Sequence, residues 1–74
     1  MSDEILDARG LLCPLPVLKA RKRLNALATG TVLEMLSDDP AAIIDVPHFC
    51  AESGHELLEQ RDVDDHQVFL IKKT

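Results

Sequence analysis

The residues best suited to chemistry in this chain surround Cys13, within the segment Gly10-Leu11-Leu12-Cys13-Pro14-Leu15-Pro16. A helical pattern follows directly, which predicts Cys13 as the N-cap residue and Pro14 as the first helical residue. A thiol at a helix N-terminus lies at the positive end of the aligned peptide dipoles, which favours the reactive thiolate. We therefore predict that Cys13 is a nucleophile whose site is shaped by Pro14, Leu15 and Pro16.

The two prolines restrict the groups that can contact the sulfur. Pro16 has no N–H, so the N–H of Leu15 is the first-turn donor predicted to reach Cys13. Arg9 precedes the cysteine closely enough to favour the anion by its charge, the alternative being an ordinary surface charge. The sequence shows no obvious general base near Cys13, and an activated thiol requires none.

Cys50 and three histidines suggest two other kinds of site. Cys50 lies 37 positions after Cys13, whereas a thiol–disulfide oxidoreductase would favour a nearby resolving cysteine, as in Cys-x-x-Cys. We predict that Cys50 packs in the core. The spacing of His48, His55 and His66 around Cys50 matches no common zinc pattern, so no metal site is predicted. His48 and His66 are expected at the surface, and His55 at a strand edge.

Length and charge limit the function classes. The 74 residues predict a single domain, residues 1–74, with one thin core and little room for a deep pocket. The net charge of −5 and the presence of only two aromatic residues argue against direct binding of nucleic acid. The acidic start of the chain and the lack of long apolar runs indicate a cytoplasmic protein that does not enter a membrane.

Basic residues are concentrated in the segment Lys19-Ala20-Arg21-Lys22-Arg23. On a helix, Lys19, Lys22 and Arg23 share one face, which is our candidate surface for docking a partner protein. The alternative is an ordinary solvated helix face. A non-catalytic binding module or regulator, in which this face contacts nucleic acid, is a third class of function, which the negative net charge disfavours.

The pattern of apolar residues and turn residues predicts six elements in the order β-α-β-α-β-β. Gly30 is expected to end the first helix and Gly54 the second. Pro47 predicts either a kink in the second helix or a shorter helix capped by Asp45. The predicted ranges are strand 4–7, helix 14–28 with an inward face of Val17, Ala20, Leu24, Leu27 and Ala28, strand 31–37, helix 40–53, strand 55–62 and strand 66–72. Helices that follow strands favour an α/β two-layer sandwich, with both helices on one face of a four-stranded sheet.

Two segments resemble the TusA/SirA-like family of sulfur carrier proteins. Residues 6–11 followed by Cys13-Pro14-Leu15-Pro16 are similar to its CPxP signature and lead-in. Residues 38–41, 45–50 and 54–57 are similar to the second-helix segment of the TusA branch. A lone CPxP would be a weak match, but both segments at matching spacing make a strong one that covers nearly the whole chain.

The resemblance implies a mixed four-stranded sheet and a persulfide on Cys13, in a relay protein rather than a stand-alone enzyme, with no cofactor. It implies a cysteine desulfurase or rhodanese as donor and a DsrE-type relay protein as acceptor. The implied end point is 2-thiouridine in tRNA, the alternative being dissimilatory sulfur traffic. Nothing in the sequence requires more than a monomer. Leu12 and Leu15 depart from the basic residue and the Glu common in the family, which bears on partner choice.

Overall fold

The structure, a computed structural model, describes residues 2–74. Its elements are β1 (Glu4–Asp7), α1 (Leu15–Asn25), β2 (Val32–Ser37), α2 (Ala42–Ser53), β3 (Glu56–Val63) and β4 (His66–Lys72). The order β-α-β-α-β-β is confirmed, and β1 and β4 have the predicted bounds.

The four strands form one sheet in the order β1-β2-β4-β3. β1 is parallel to β2, and β4 is antiparallel to both β2 and β3. Since both neighbours of β4 oppose it, β2 and β3 run in the same direction, and each helix connects two parallel strands. The turn between β3 and β4 has two residues, of which Asp64 adopts a φ of 45°. The mixed sheet is confirmed.

The core lies between the helices and one face of the sheet. Leu33 and Met35 of β2 are fully buried and pair in register with Ile71 and Phe69 of β4. Alternation along a strand places these side chains on one face. Both helices contribute buried side chains to the same cluster, which confirms the two-layer sandwich: Ala20 and Leu24 from α1, and Val46, Phe49 and Cys50 from α2.

Helix α1 is shorter than predicted at both ends. It begins at Leu15, with Pro14 in the N-cap position, and Ala26 is its C-cap. The N–H of Ala26 donates to Arg23 O and that of Leu27 to Leu24 O, so the last turn tightens and the helix does not continue to residue 28. Gly30, with a φ of 93°, lies in the turn before β2 and does not end the helix. On the predicted inward face, Ala28 is exposed, whereas the buried Pro16 was not predicted.

Helix α2 contains Pro47 in its interior, so the shorter helix capped by Asp45 is wrong. Proline cannot donate to the carbonyl four residues earlier, here that of Ile43. The side-chain amide of Gln60 on β3 donates to that carbonyl oxygen at 3.4 Å, which partly replaces the missing bond. Gly54 ends the helix as predicted, with a φ of 84° and its N–H donating to Cys50 O.

Candidate functional site

The loop that carries Cys13 is fixed by two carboxylates from the loop between β2 and α2. The N–H of Cys13 donates to Asp39 Oδ2 at 2.6 Å, and the N–H of Gly10 donates to Asp38 Oδ1 at 2.9 Å. Asp39 is buried, and its other oxygen accepts from the N–H of Ala41 at 3.1 Å. A single buried carboxylate therefore joins the cysteine loop to the start of α2, while Cys13 itself is exposed.

Cys13 is not the N-cap residue of α1, which corrects the first prediction about the site. Pro14 occupies that position and follows a cis peptide bond, and no side chain caps the helix. The N–H of Leu15 donates to Leu12 O at 2.9 Å, so it is not the predicted donor to the sulfur. The sequence Leu12 to Leu15 forms its own turn, and α1 starts one residue later than the dipole argument assumed.

The pKa of the Cys13 thiol is raised above its ordinary value, contrary to the predicted stabilised thiolate. The largest cause is a hydrogen bond with the Asp45 side chain, which stabilises the neutral thiol. Desolvation and the negative charges of Asp45 and Asp39 act in the same direction. The helix-end argument was wrong because carboxylates from a later part of the chain surround the thiol.

Cys13 opens into a shallow cavity of about 240 Å³ between α1 and α2, which is lined by Cys13, Pro14, Val17, Arg21, Asp45, His48, Phe49 and Glu52. The guanidinium of Arg21 lies over the Phe49 ring, 5.6 Å from its centre. His48 Nε2 lies 3.4 Å from Glu52 Oε1 one turn further along α2. Arg21 and Asp45 are thus parts of the site that the sequence interpretation missed. The periodicity did place Arg21 on a helix, but it did not show which face meets the cavity.

Of the four residues predicted to shape the site, only Pro14 lines the cavity of Cys13. Pro16 is buried in the first turns of α1, and Leu15 lines a different groove. Arg9 pairs with Asp7, with Nε 2.9 Å from Oδ1, and this pair lowers the pKa of Asp7 to about 2. Arg9 therefore behaves as a surface charge, and its predicted contribution to the thiolate is wrong.

The predicted docking residues Lys19, Lys22 and Arg23 line a separate groove of about 770 Å³ beside β1. Arg23 is engaged there with Glu4 at 3.2 Å and with the carbonyl of Ile5 at 3.3 Å. Lys19 and Lys22 are exposed and form no salt bridge within residues 2–74. The three basic residues are brought together as predicted, but on a surface that does not include Cys13.

Comparison with known proteins decides the family. Residues 4–73 match the family model described as sulfurtransferase TusA. The chain belongs to the TusA family. It is 44% identical to the sulfur carrier protein TusA of Allochromatium vinosum, over 97% of this chain and 95% of that protein. It is 41% identical to the sulfur carrier protein TusA of Pseudomonas aeruginosa, over 96% and 90% of the two chains. The crystal structure of a SirA-like protein from Desulfitobacterium hafniense superposes with a TM-score of 0.84 at 27% identity, covering 93% and 95% of the chains.

In this member of the TusA family, Cys50 lies in the core as predicted, with 2% of its surface exposed. Burial raises the pKa of its thiol to about 11.

His48 is exposed, as expected, and His55 directly precedes β3. His66 differs from the expectation because only 15% of its side chain is exposed. Within residues 2–74, no three His, Cys, Asp or Glu side chains are grouped to hold a metal ion. Neither helix of this described region has the length and apolar character needed to cross a bilayer.

Proposed function

We propose that this TusA-family chain carries sulfane sulfur as a persulfide on Cys13, between a donor protein and an acceptor protein. The observation that supports this role is the contrast between its two thiols. Cys13 is exposed on a loop fixed by Asp39, whereas Cys50 is buried on the inner face of α2. A carrier needs one accessible thiol at a fixed position, and the chain presents one.

The proposed step is the attack of one thiolate on a divalent sulfur. Cys13 loses its proton, and its thiolate bonds to the outer sulfur of the donor persulfide. The bond between the two donor sulfurs breaks, and the donor cysteine leaves as a thiolate that takes up a proton. Sulfur moves without net oxidation or reduction, so neither a resolving cysteine nor a redox cofactor is needed. In the next transfer Cys13 is the sulfur donor. A thiolate of the acceptor attacks the outer sulfur of the Cys13 persulfide, and Cys13 leaves as a thiolate.

The proposed partners are proteins. A cysteine desulfurase or a rhodanese would supply sulfur, and a DsrE-type relay protein would accept it. Direct binding of nucleic acid is disfavoured, because a chain with net charge −5 repels phosphate groups. The shallow cavity of Cys13 leaves the thiol within reach of a reactive loop on such a partner, and the proposed carrier acts as a monomer in the cytoplasm.

We propose 2-thiouridine in tRNA as the end point of the relay, which is the end point that the resemblance of the CPxP and second-helix segments implies. Cells that lack this chain should lose 2-thiouridine, and the wild-type gene but not Cys13→Ser should restore it. Unchanged 2-thiouridine together with a defect in sulfur oxidation would contradict this end point and support dissimilatory sulfur traffic instead.

The carrier role is tested by intact-mass analysis after incubation with a cysteine desulfurase and cysteine. The wild-type protein should gain one sulfur atom that is lost on reduction, and Cys50→Ala should gain it equally. Cys13→Ser should gain none. Loading of Cys13→Ser, or a requirement for Cys50, would contradict the proposal and would instead favour a thiol–disulfide mechanism.

A further inference from the structure

The carboxylate of Asp45 lies at the start of α2, where its charge favours the helix dipole and where it also faces the site of Cys13. It lies in the first turn of α2, half-buried, and lines the cavity that holds Cys13. Within residues 2–74 it takes part in no salt bridge, and it lines the same cavity as Cys13, across from Arg21 of α1. A carboxylate that shares the cavity of a nucleophile is placed to act on the ionisation of that nucleophile, in addition to its effect on the helix.

The charged groups around the thiol come from three elements. Asp39, from the loop between β2 and α2, adds a second negative charge. Arg21, from α1, supplies the positive charge of the cavity, and its guanidinium lies over the ring of Phe49. On α2, His48 lies against Glu52. The groups that act on the sulfur are therefore Asp45 and Asp39, and both oppose formation of an anion there.

This arrangement gives Cys13 a different reactivity toward small reagents and toward docked proteins. A small electrophile meets a thiol that is held in its neutral form and reacts slowly, because the thiolate is the nucleophile. A protein that covers the cavity excludes water, which strengthens every charge interaction inside the contact. A positive group on that protein would then offset the carboxylate and allow the thiol to ionise only in the complex.

We propose that Asp45 is a specificity-determining residue, which restricts sulfur acceptance by Cys13 to protein donors that offset its carboxylate on docking. This inference rests on the proposed carrier function. The proton released from Cys13 ends on the leaving thiolate of the donor, so the transfer stays balanced and requires no further reactant.

The test compares Asp45→Asn with the wild-type protein in two reactions. The first is alkylation of Cys13 by iodoacetamide as a function of pH, followed by intact mass. Asp45→Asn should shift the profile to lower pH and accelerate alkylation at pH 7, by roughly threefold for each tenfold rise in thiolate, because nucleophilicity falls as the thiol becomes more acidic. Asp45→Ser, which also removes the charge, should give the same shift, and Asp45→Glu should keep the wild-type profile.

The second reaction is sulfur loading by inorganic polysulfide and, separately, by a cysteine desulfurase with cysteine. Asp45→Asn should accelerate loading by polysulfide without accelerating loading by the desulfurase, so the preference for the protein donor falls. Glu56→Gln is the control, since it removes the same charge from an exposed position at the start of β3, outside the cavity of Cys13, and should leave both reactions unchanged. Circular dichroism verifies that each variant is folded.

Three results would overturn the inference: an unchanged alkylation profile in both Asp45→Asn and Asp45→Ser, an equal shift in Glu56→Gln, or equal acceleration of loading by both donors. Failure of the carrier function would look different. In that case the wild-type protein would gain no sulfur from either donor, while the alkylation profiles would still show whether Asp45 controls the thiol.

Discussion

Two carboxylates act on Cys13: Asp39 binds its backbone N–H, and Asp45 and Asp39 raise the pKa of its thiol. Asp39 accepts the backbone N–H at 2.6 Å and thereby fixes the position of the residue. Asp45 lines the cavity of the thiol and, with Asp39, raises its pKa. Asp39 thus acts on both the position and the pKa of Cys13, whereas Asp45 acts on the pKa alone, so substitution of Asp45 can change the chemistry of Cys13 while the loop stays in place.

The buried Cys50 predicts how stability depends on alkaline pH. Its pKa is raised by burial from 9.0 to about 11, so the folded state binds its proton more tightly than the unfolded state does. The stabilisation is fully present below pH 9 and is lost as the pH rises through 11. Integrated over that range, the effect is on the order of 2 kcal/mol.

Thermal unfolding of the wild-type protein and Cys50→Ala between pH 8 and 11 measures this dependence. The wild-type melting temperature should fall more steeply than that of Cys50→Ala. Cys13→Ser serves as the control for an exposed thiol and should keep most of the wild-type slope. Parallel pH profiles for the wild-type protein and Cys50→Ala would show that ionisation of Cys50 does not limit alkaline stability.

At the residue scale, the sequence identified the reactive atom but not its charge environment. Cys13 stands out because a cysteine between a glycine turn and Pro-x-Pro is unusual for a packing residue. Its thiol, however, is governed by Asp39 and Asp45, which come from a later part of the chain. A dipole argument that considers only neighbouring residues cannot include charges that the fold brings together.

At the scale of the elements, Pro47 weakens the helix that carries Asp45. Its ring removes one backbone hydrogen bond to Ile43, and the bond from Gln60 at 3.4 Å is a weak replacement. Pro47→Ala restores the N–H and should increase the free energy of unfolding by about 1–3 kcal/mol. Urea titration followed by circular dichroism measures this difference.

The replacement bond provides the control for this prediction. Gln60→Ala should cost about 0.5–1 kcal/mol in the wild-type protein and less in the Pro47→Ala background, since there the carbonyl of Ile43 has its helical partner. Destabilisation by Pro47→Ala would mean that packing of the half-buried ring outweighs the lost hydrogen bond.

Element order was predictable, but the ends of α1 were not. Strand and helix periodicity predicted all six elements. Gly54 ends α2 because its φ of 84° is one that glycine adopts readily. Gly30 also has a positive φ, yet it serves the turn into β2, with its N–H donating to Lys73 O. A glycine shows where the chain turns, but tertiary hydrogen bonds decide which element that turn ends.

At the scale of the whole molecule, Cys13 and the basic groove form two separate surfaces. The groove combines the free charges of Lys19 and Lys22 with the half-exposed side chains of Leu15 and Leu18. On a chain with net charge −5, it offers a site for an acidic partner surface. Charges at the edge of an interface act mainly on the rate of encounter.

Charge reversal therefore tests the groove. The double variant Lys19→Glu/Lys22→Glu should slow sulfur acceptance from the donor protein several-fold at low salt and less at high salt, because salt screens exposed charges. Stopped-flow or quenched loading assays at two ionic strengths measure this effect. Stability should change by less than about 1 kcal/mol, since both side chains are exposed.

The matched control is Arg61→Glu/Lys72→Glu, which makes the same change in net charge at two exposed positions on β3 and β4, outside the groove. This variant should load at nearly the wild-type rate. Equal slowing by both variants would show that net charge, rather than the groove, governs the encounter, and unaltered kinetics of the Lys19/Lys22 variant would exclude the groove as a docking surface.

The central claim is that one sulfur atom resides on Cys13 and moves on to another protein. The most direct measurement loads the protein with ³⁵S from labelled cysteine and a desulfurase, isolates it from the donor, and mixes it with a DsrE-type acceptor. The account predicts that the label is found on the Cys13 peptide and then passes to the acceptor. Label on the Cys50 peptide, or label that stays on Cys13 and leaves only with reductant, would contradict it.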